Sequence, residues 1–193
     1  MKGLQGAIEG EGAGTPSANS TCQGLTGIAL TTCQNGGVGG NPTTTKQNLL
    51  SIASEFLVSW QEYADANNAW LSGATTTTPI LTAIQSICST VANGAATNLA
   101  FIQTNKQFIA REAARAEEAI ISVNQIKTTI QGAHTIEKLS DLNDQLNQYN
   151  PSDPPSELQG AQNRLAKMRA LVIAIGGVSI PITACPETIP SLK

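Results

Sequence analysis

Between Ile84 and Ile130, apolar residues keep a three- or four-residue spacing through more than six heptads: Ile84, Cys88, Val91, Ala95, Leu99, Ile102, Ile109, Ala113, Ala116, Ile120, Val123 and Ile130. That periodicity belongs to one face of a helix and excludes an alternating strand. It predicts a single helix over 80–131, about 75 Å long if unbroken. Gly94 is its one weak point, costing about 1 kcal/mol relative to Ala and inviting a bend. A rod of that length exceeds a small globular core. The expected fold class is therefore mainly α, an elongated antiparallel helical bundle or coiled-coil hairpin.

The flanking segments read as partners for this rod. Leu49, Ile52, Ala53, Phe56, Leu57, Trp60, Ala64, Asn67 and Leu71 recur at helical spacing, so a helix starts near Thr43, Thr44 or Thr45, which can cap it. Gly73 is expected to end it. The threonine run before Pro79 then reads as a connection, with Pro79 in the first turn of the long helix, making a hairpin at 73–79. After Gly132, Ile136, Leu139, Leu142, Leu146 and Tyr149 predict a short helix over 135–149, capped by Thr135. The run Asn150-Pro151-Ser152-Asp153-Pro154-Pro155 breaks it. A last helix over 156–175 carries Leu158, Ala161, Leu165, Met168, Leu171, Val172 and Ile175, and Gly176-Gly177 stops it.

The ends differ in kind. Residues 1–45 hold Gly10, Gly12, Gly14, Pro16, Gly36, Gly37, Gly39, Gly40 and Pro42 with no surviving periodicity, and read as an irregular Gly/Thr-rich arm. Residues 46–177 form the helical bundle, and 178–193, with Pro181, Pro186 and Pro190, an extended tail. At 193 residues this is one domain with its appendages.

Charge is scarce, at 13% of residues with a net of -3, and Thr, Ser, Asn, Gln and Gly supply the polar surface instead. Without a basic cluster, nucleic acid is not an expected partner. The longest apolar run, Ala170 to Ile175, is too short to span a bilayer, so no membrane span is expected. The opening residues lack the apolar stretch of a secretory signal, which is read as absent or removed.

Four cysteines, Cys22, Cys33, Cys88 and Cys185, stand too far apart for a zinc knuckle, and His134 is the sole histidine, so no metal or cofactor is expected. Four thiols allow three pairings. Proximity favours Cys22–Cys33, and joining Cys88 to Cys185 would pin the tail beside the long helix, though Cys88 equally suits a small buried hydrophobe. The even count and the sequon Asn19-Ser20-Thr21 lean toward an oxidising setting: extracellular, envelope-associated or in a virion.

Catalytic chemistry finds no foothold. The glycines at 36, 37, 39 and 40 lack the Gly-Lys-Ser/Thr of a phosphate loop, and Gly-x-Ser-x-Gly and Cys-x-x-Cys are missing. Glu137, Asp141 and Asp144 share a helical face and read as solvated rather than cation-binding. Lys106, Arg111, Glu112, Arg115, Glu117 and Glu118 make the one dense charge cluster, midway along the long helix. Arg115 and Glu118 are at pairing distance, and Arg111, Arg115 and Glu118 are interface candidates. Trp60 is expected in the core and Trp70 as an interface anchor. The chain is thus expected to be a non-enzymatic structural or assembly subunit of a virion, pilus, secretion apparatus or surface layer, docking through its arm, tail and helical faces onto copies of itself or other protein subunits and taking no small-molecule substrate. The alternative is a monomeric helical surface receptor or adhesin for a protein ligand.

Overall fold

The computed structural model describes residues 42–151 and 155–193. The expectations for the arm over 1–41, including the Cys22–Cys33 pairing, lie outside them. The described part is mainly helical, with four helices and no strands: α1 (Pro42–Ile87), α2 (Ala92–Gly132), α3 (Ile136–Asn147) and α4 (Pro155–Ile175).

The first helix overturns the expected hairpin at 73–79. It runs 46 residues, about 70 Å, straight through Gly73 and Pro79. The apolar stripe is the reason. Trp70, Ala74, Thr77, Leu81, Ile84 and Cys88 follow one another at three- and four-residue steps and are all buried. An interior proline costs about 3 kcal/mol, while burying Leu81 and Ile84 returns about 1.5–3 kcal/mol each and the other positions add to it. The threonines that suggested extended backbone are absorbed by the helix itself. Thr75, Thr76, Thr77 and Thr78 donate their hydroxyls to the carbonyls of Leu71, Ser72, Gly73 and Ala74 at 2.6–3.0 Å. The start also moves: α1 opens at Pro42, a residue whose fixed φ suits a first helical position, so 42–45 belong to the helix and not to the arm.

The reversal comes instead at Cys88–Val91, which divides the expected long helix in two and leaves α1, not a helix within 79–131, the longest. Cys88 N still donates to Ile84 O, so the helical bonding reaches Cys88, and Val91 N donates to Cys88 O across the turn. Because Ile84, Cys88, Val91 and Ala95 stay in phase across it, spacing alone does not reveal it. From this turn α2 runs back along α1. Lys46 Nζ reaches the carbonyls of Gln131 and Ala133 at the far end, and Tyr63 meets Glu112 midway. Since α2 carries no basic residue in its last turn, Lys46 supplies from α1 the cation that a helix C-terminus favours.

The remaining helices cover one side of this hairpin. Thr135 caps α3 as expected, its hydroxyl accepting from Lys138 N at 3.3 Å. Leu139, Leu142 and Leu146 sink between the α1 N-terminal half and the α2 C-terminal half, with Phe56, Trp60 and Val123. Helix α4 continues in the same direction, parallel to α1, burying Met168, Leu171 and Ile175 with Ile84, Ile102 and Ile109. Ile102, Ile109 and Val123 are buried as the stripe requires, but Leu99 and Ile120, expected beside them, are only half-buried at its edge.

The tail is bound to its own bundle. After Gly176-Gly177 it rises to the hairpin turn, where Cys185 is bonded to Cys88 across a sequence separation of 97. It then returns along α2. Asn98, 1% exposed, grips it with both ends of its amide: Nδ2 donates to Pro190 O at 2.8 Å, and Leu192 N donates to Oδ1 at 3.0 Å. Leu192 is buried, and Lys167 Nζ donates to Lys193 O at 2.6 Å.

Two stability outcomes are expected. Replacing Gly by Ala inside a helix ordinarily gains about 1 kcal/mol. At Gly73 a Cβ would sit 2.5 Å from Met168 Cγ, inside the packed α1–α4 contact. Overpacking costs about 1–3 kcal/mol, so Gly73→Ala should lower the urea midpoint, and adding Met168→Ala should remove the penalty specific to that pair. Second, Cys88→Ser/Cys185→Ser should cost up to about 4–5 kcal/mol in the loop-entropy model for a loop this long. Amide exchange at Leu192 should quicken. Unchanged exchange there would mean that the Asn98 clamp alone holds the tail.

Candidate functional site

The densest set of polar contacts lies at the waist of the hairpin, where α1, α2 and α4 meet. Trp60 and Tyr63, a turn apart on α1, stack edge to face with centroids 6.1 Å apart. Arg115 of α2 lies over the Trp60 ring at 5.5 Å. Its Nη1 is 3.1 Å from Glu112 and its Nη2 3.1 Å from Glu157 at the start of α4. Glu112 also accepts the Tyr63 hydroxyl at 2.8 Å, and Trp60 Nε1 donates to Tyr149 O at 2.7 Å. One turn further, Asn67 is buried, donating to Tyr63 O and accepting from Arg164, whose guanidinium covers Phe108 at 5.9 Å.

This arrangement corrects the charge pairing expected from spacing. Arg115 bonds to Glu112 and Glu157 rather than to Glu118, because Glu112 faces the seam and α4 brings in a second carboxylate. Arg111 and Glu118 are exposed. Trp70 is not. It is 1% exposed, in the core with Met168 and Leu171, while Leu71, placed on the apolar face from spacing, is only partly buried. Its Nε1 is a buried donor without a partner. That costs about 1–3 kcal/mol, less than the roughly 4–6 kcal/mol gained by burying a ring of 150–250 Å².

Burial, and the Glu112 carboxylate bonded to it, with Glu157 nearby, push the Tyr63 hydroxyl up to about 12. The group stays neutral at physiological pH and serves as a hydrogen-bond donor.

Beside the waist, two cavities of about 350 and 310 Å³ share Ser122, Gln148 and Tyr149 and so form one groove between α2 and α3. From Arg115 to Thr129 it follows α2 for about 20 Å. Ile126 and Leu142 line its floor, Gln125 and Gln145 its walls, and Lys138 stands at one end with Arg115 and Glu118 at the other. Glu137, Asp141 and Asp144 are exposed and outside that lining, and His134 is exposed in the α2–α3 loop. Among the described residues no group of three His, Cys, Asp or Glu side chains is placed to hold a metal ion, and no helix is long and apolar enough to cross a membrane.

Sequence reasoning missed Asn98, which binds the tail, and the groove. Asn98 left one trace, a polar side chain in step with Ala95 and Ile102 on an apolar stripe. The groove left none, since it arises from the approach of two helices separated by a loop. The chain matches no protein-family model, no curated protein and no solved structure.

The waist generates a pH prediction. A hydroxyl whose folded pKa lies above its unfolded value of about 10 contributes stability in full below pH 10 and loses it as pH rises toward 12. Absorbance titration near 295 nm should show a tyrosine ionising near pH 12, with falling stability over pH 10–12. Tyr63→Phe should remove that component and cost about 1 kcal/mol at neutral pH.

Proposed function

We propose that the chain is a non-enzymatic binding module of an oxidising, extracellular or envelope-associated setting, a helical surface receptor or adhesin that meets a protein partner with its helical faces. The observation that carries this reading is the fate of the tail. A segment expected to tie neighbouring subunits together is bonded to its own hairpin through Cys88–Cys185 and the Asn98 clamp. The bundle thereby closes on itself. The waist supports the same reading, since Arg115 and Glu112 are spent on internal contacts.

A second reading, an assembly subunit of a virion, pilus, secretion apparatus or surface layer, draws on the apolar side chains left outside. Val58 and Ile121 are each 58% exposed on the two hairpin helices, and Ile173 is 80% exposed. Sedimentation velocity of the oxidised protein separates the two. The receptor reading expects an elongated monomer from low to high micromolar concentration. Mass that grows with concentration, and that reverts to monomer in Val58→Ser/Ile121→Ser, would overturn it in favour of assembly.

A further inference from the structure

We propose that the groove between α2 and α3 binds a neutral oligosaccharide. Such a ligand lies beyond the protein-binding reading. On α3 the side chains are sorted by face. Lys138, Leu142, Gln145 and Tyr149 recur at three- and four-residue steps and face the groove, whereas Glu137, Asp141 and Asp144 do not line it. Across from them α2 presents Ser122, Gln125 and Thr129. Between the Lys138 end and the end where Arg115 and Glu118 stand, the walls are carboxamides and hydroxyls, groups that both donate and accept, over a floor of Ile126, Leu142 and the edge of Tyr149. A pyranose has the matching character, with vicinal hydroxyls around its rim and C–H groups on its faces.

Other occupants fit less well. Both walls are helices whose interior backbone groups are already bonded, so an extended peptide finds no strand edge to pair with. A docked helix needs deep apolar anchor pockets, and Ile126 and Leu142 show the groove only a shallow strip of surface, at 8% and 2% exposure. A phosphorylated or acidic ligand needs clustered cations, and Arg115 is held by Glu112 and Glu157 at the far end from Lys138. The length of about 20 Å accommodates a short chain of sugars rather than one. Trp60 lines the same groove with its indole N–H on Tyr149 O, so it can report occupancy, while Trp70 is sealed in the core.

The test uses the full chain with its disulfide intact. Saturation-transfer NMR is recorded with chitotetraose, maltotetraose and cellotetraose at millimolar concentration, alongside a pentaglutamate peptide, with Trp60 emission followed in parallel. At least one tetrasaccharide should receive saturation and shift the emission. Gln125→Ala/Gln145→Ala, which removes two exposed side chains, should weaken its binding about tenfold or more with the circular dichroism melt unchanged. Gln145→Trp, filling the groove from an exposed position, should do the same. No transfer to any tetrasaccharide, transfer undiminished in both variants, or preference for the peptide would overturn the proposal. Failure here leaves the solution mass, and hence the receptor reading, untouched.

Discussion

Everything in this molecule depends on the seam between α1 and α2. Ala53, Ala64 and Ala74 on one helix and Ala95, Ala113, Ala116 and Ala119 on the other are buried there. Small side chains let the two backbones approach closely, and larger ones at intervening positions fill the space that remains. Isolated helices gain little from intrinsic propensity in water, so a helix of 46 residues containing a proline and a glycine persists because this seam pays its cost along the whole length.

Each end of the seam is closed by residues from elsewhere in the chain. At one end Lys46 answers the free carbonyls at the α2 C-terminus, and α3 lays three leucines over the gap. At the other, the tail covers the hairpin turn, tied by a disulfide and by the two-ended amide of Asn98. The first closure is electrostatic and apolar, the second covalent and hydrogen-bonded. Asn98 is costly to bury unless both ends of its amide are bonded, so it favours one register of the tail over others.

The waist shows how a low-charge surface spends the charge it has. Arg115 is half exposed, and its ion pairs contribute about 0–1 kcal/mol in water. Their effect is positional: one guanidinium touches Trp60, Glu112 and Glu157, and thereby sets α4 against both hairpin helices. With these groups engaged internally, the amides and hydroxyls of the adjacent groove, and Glu118 at its Arg115 end, are left to meet solvent.

How much of this was legible follows from what periodicity encodes. A repeat of three and four reports which face of a helix is buried, and it located α3 and α4 closely, together with Ile102, Ile109 and Val123 in the core. It does not report direction, so the turn at Cys88–Val91 stayed hidden within a stripe that never changes phase. Gly73, Pro79 and four threonines carried local preferences for a break, and the burial of Leu81 and Ile84 outweighed them. The choice of Glu157 as partner for Arg115, the capture of the tail by Asn98 and the groove beside Tyr149 each join residues dozens of positions apart. By itself, then, the sequence determined the helical class, the buried faces and the caps, because these rest on interactions within a few residues. Where the chain reverses, which groups pair and where a ligand could sit were decided by tertiary packing, because only the balance of burial against local cost along the entire seam brings those groups together.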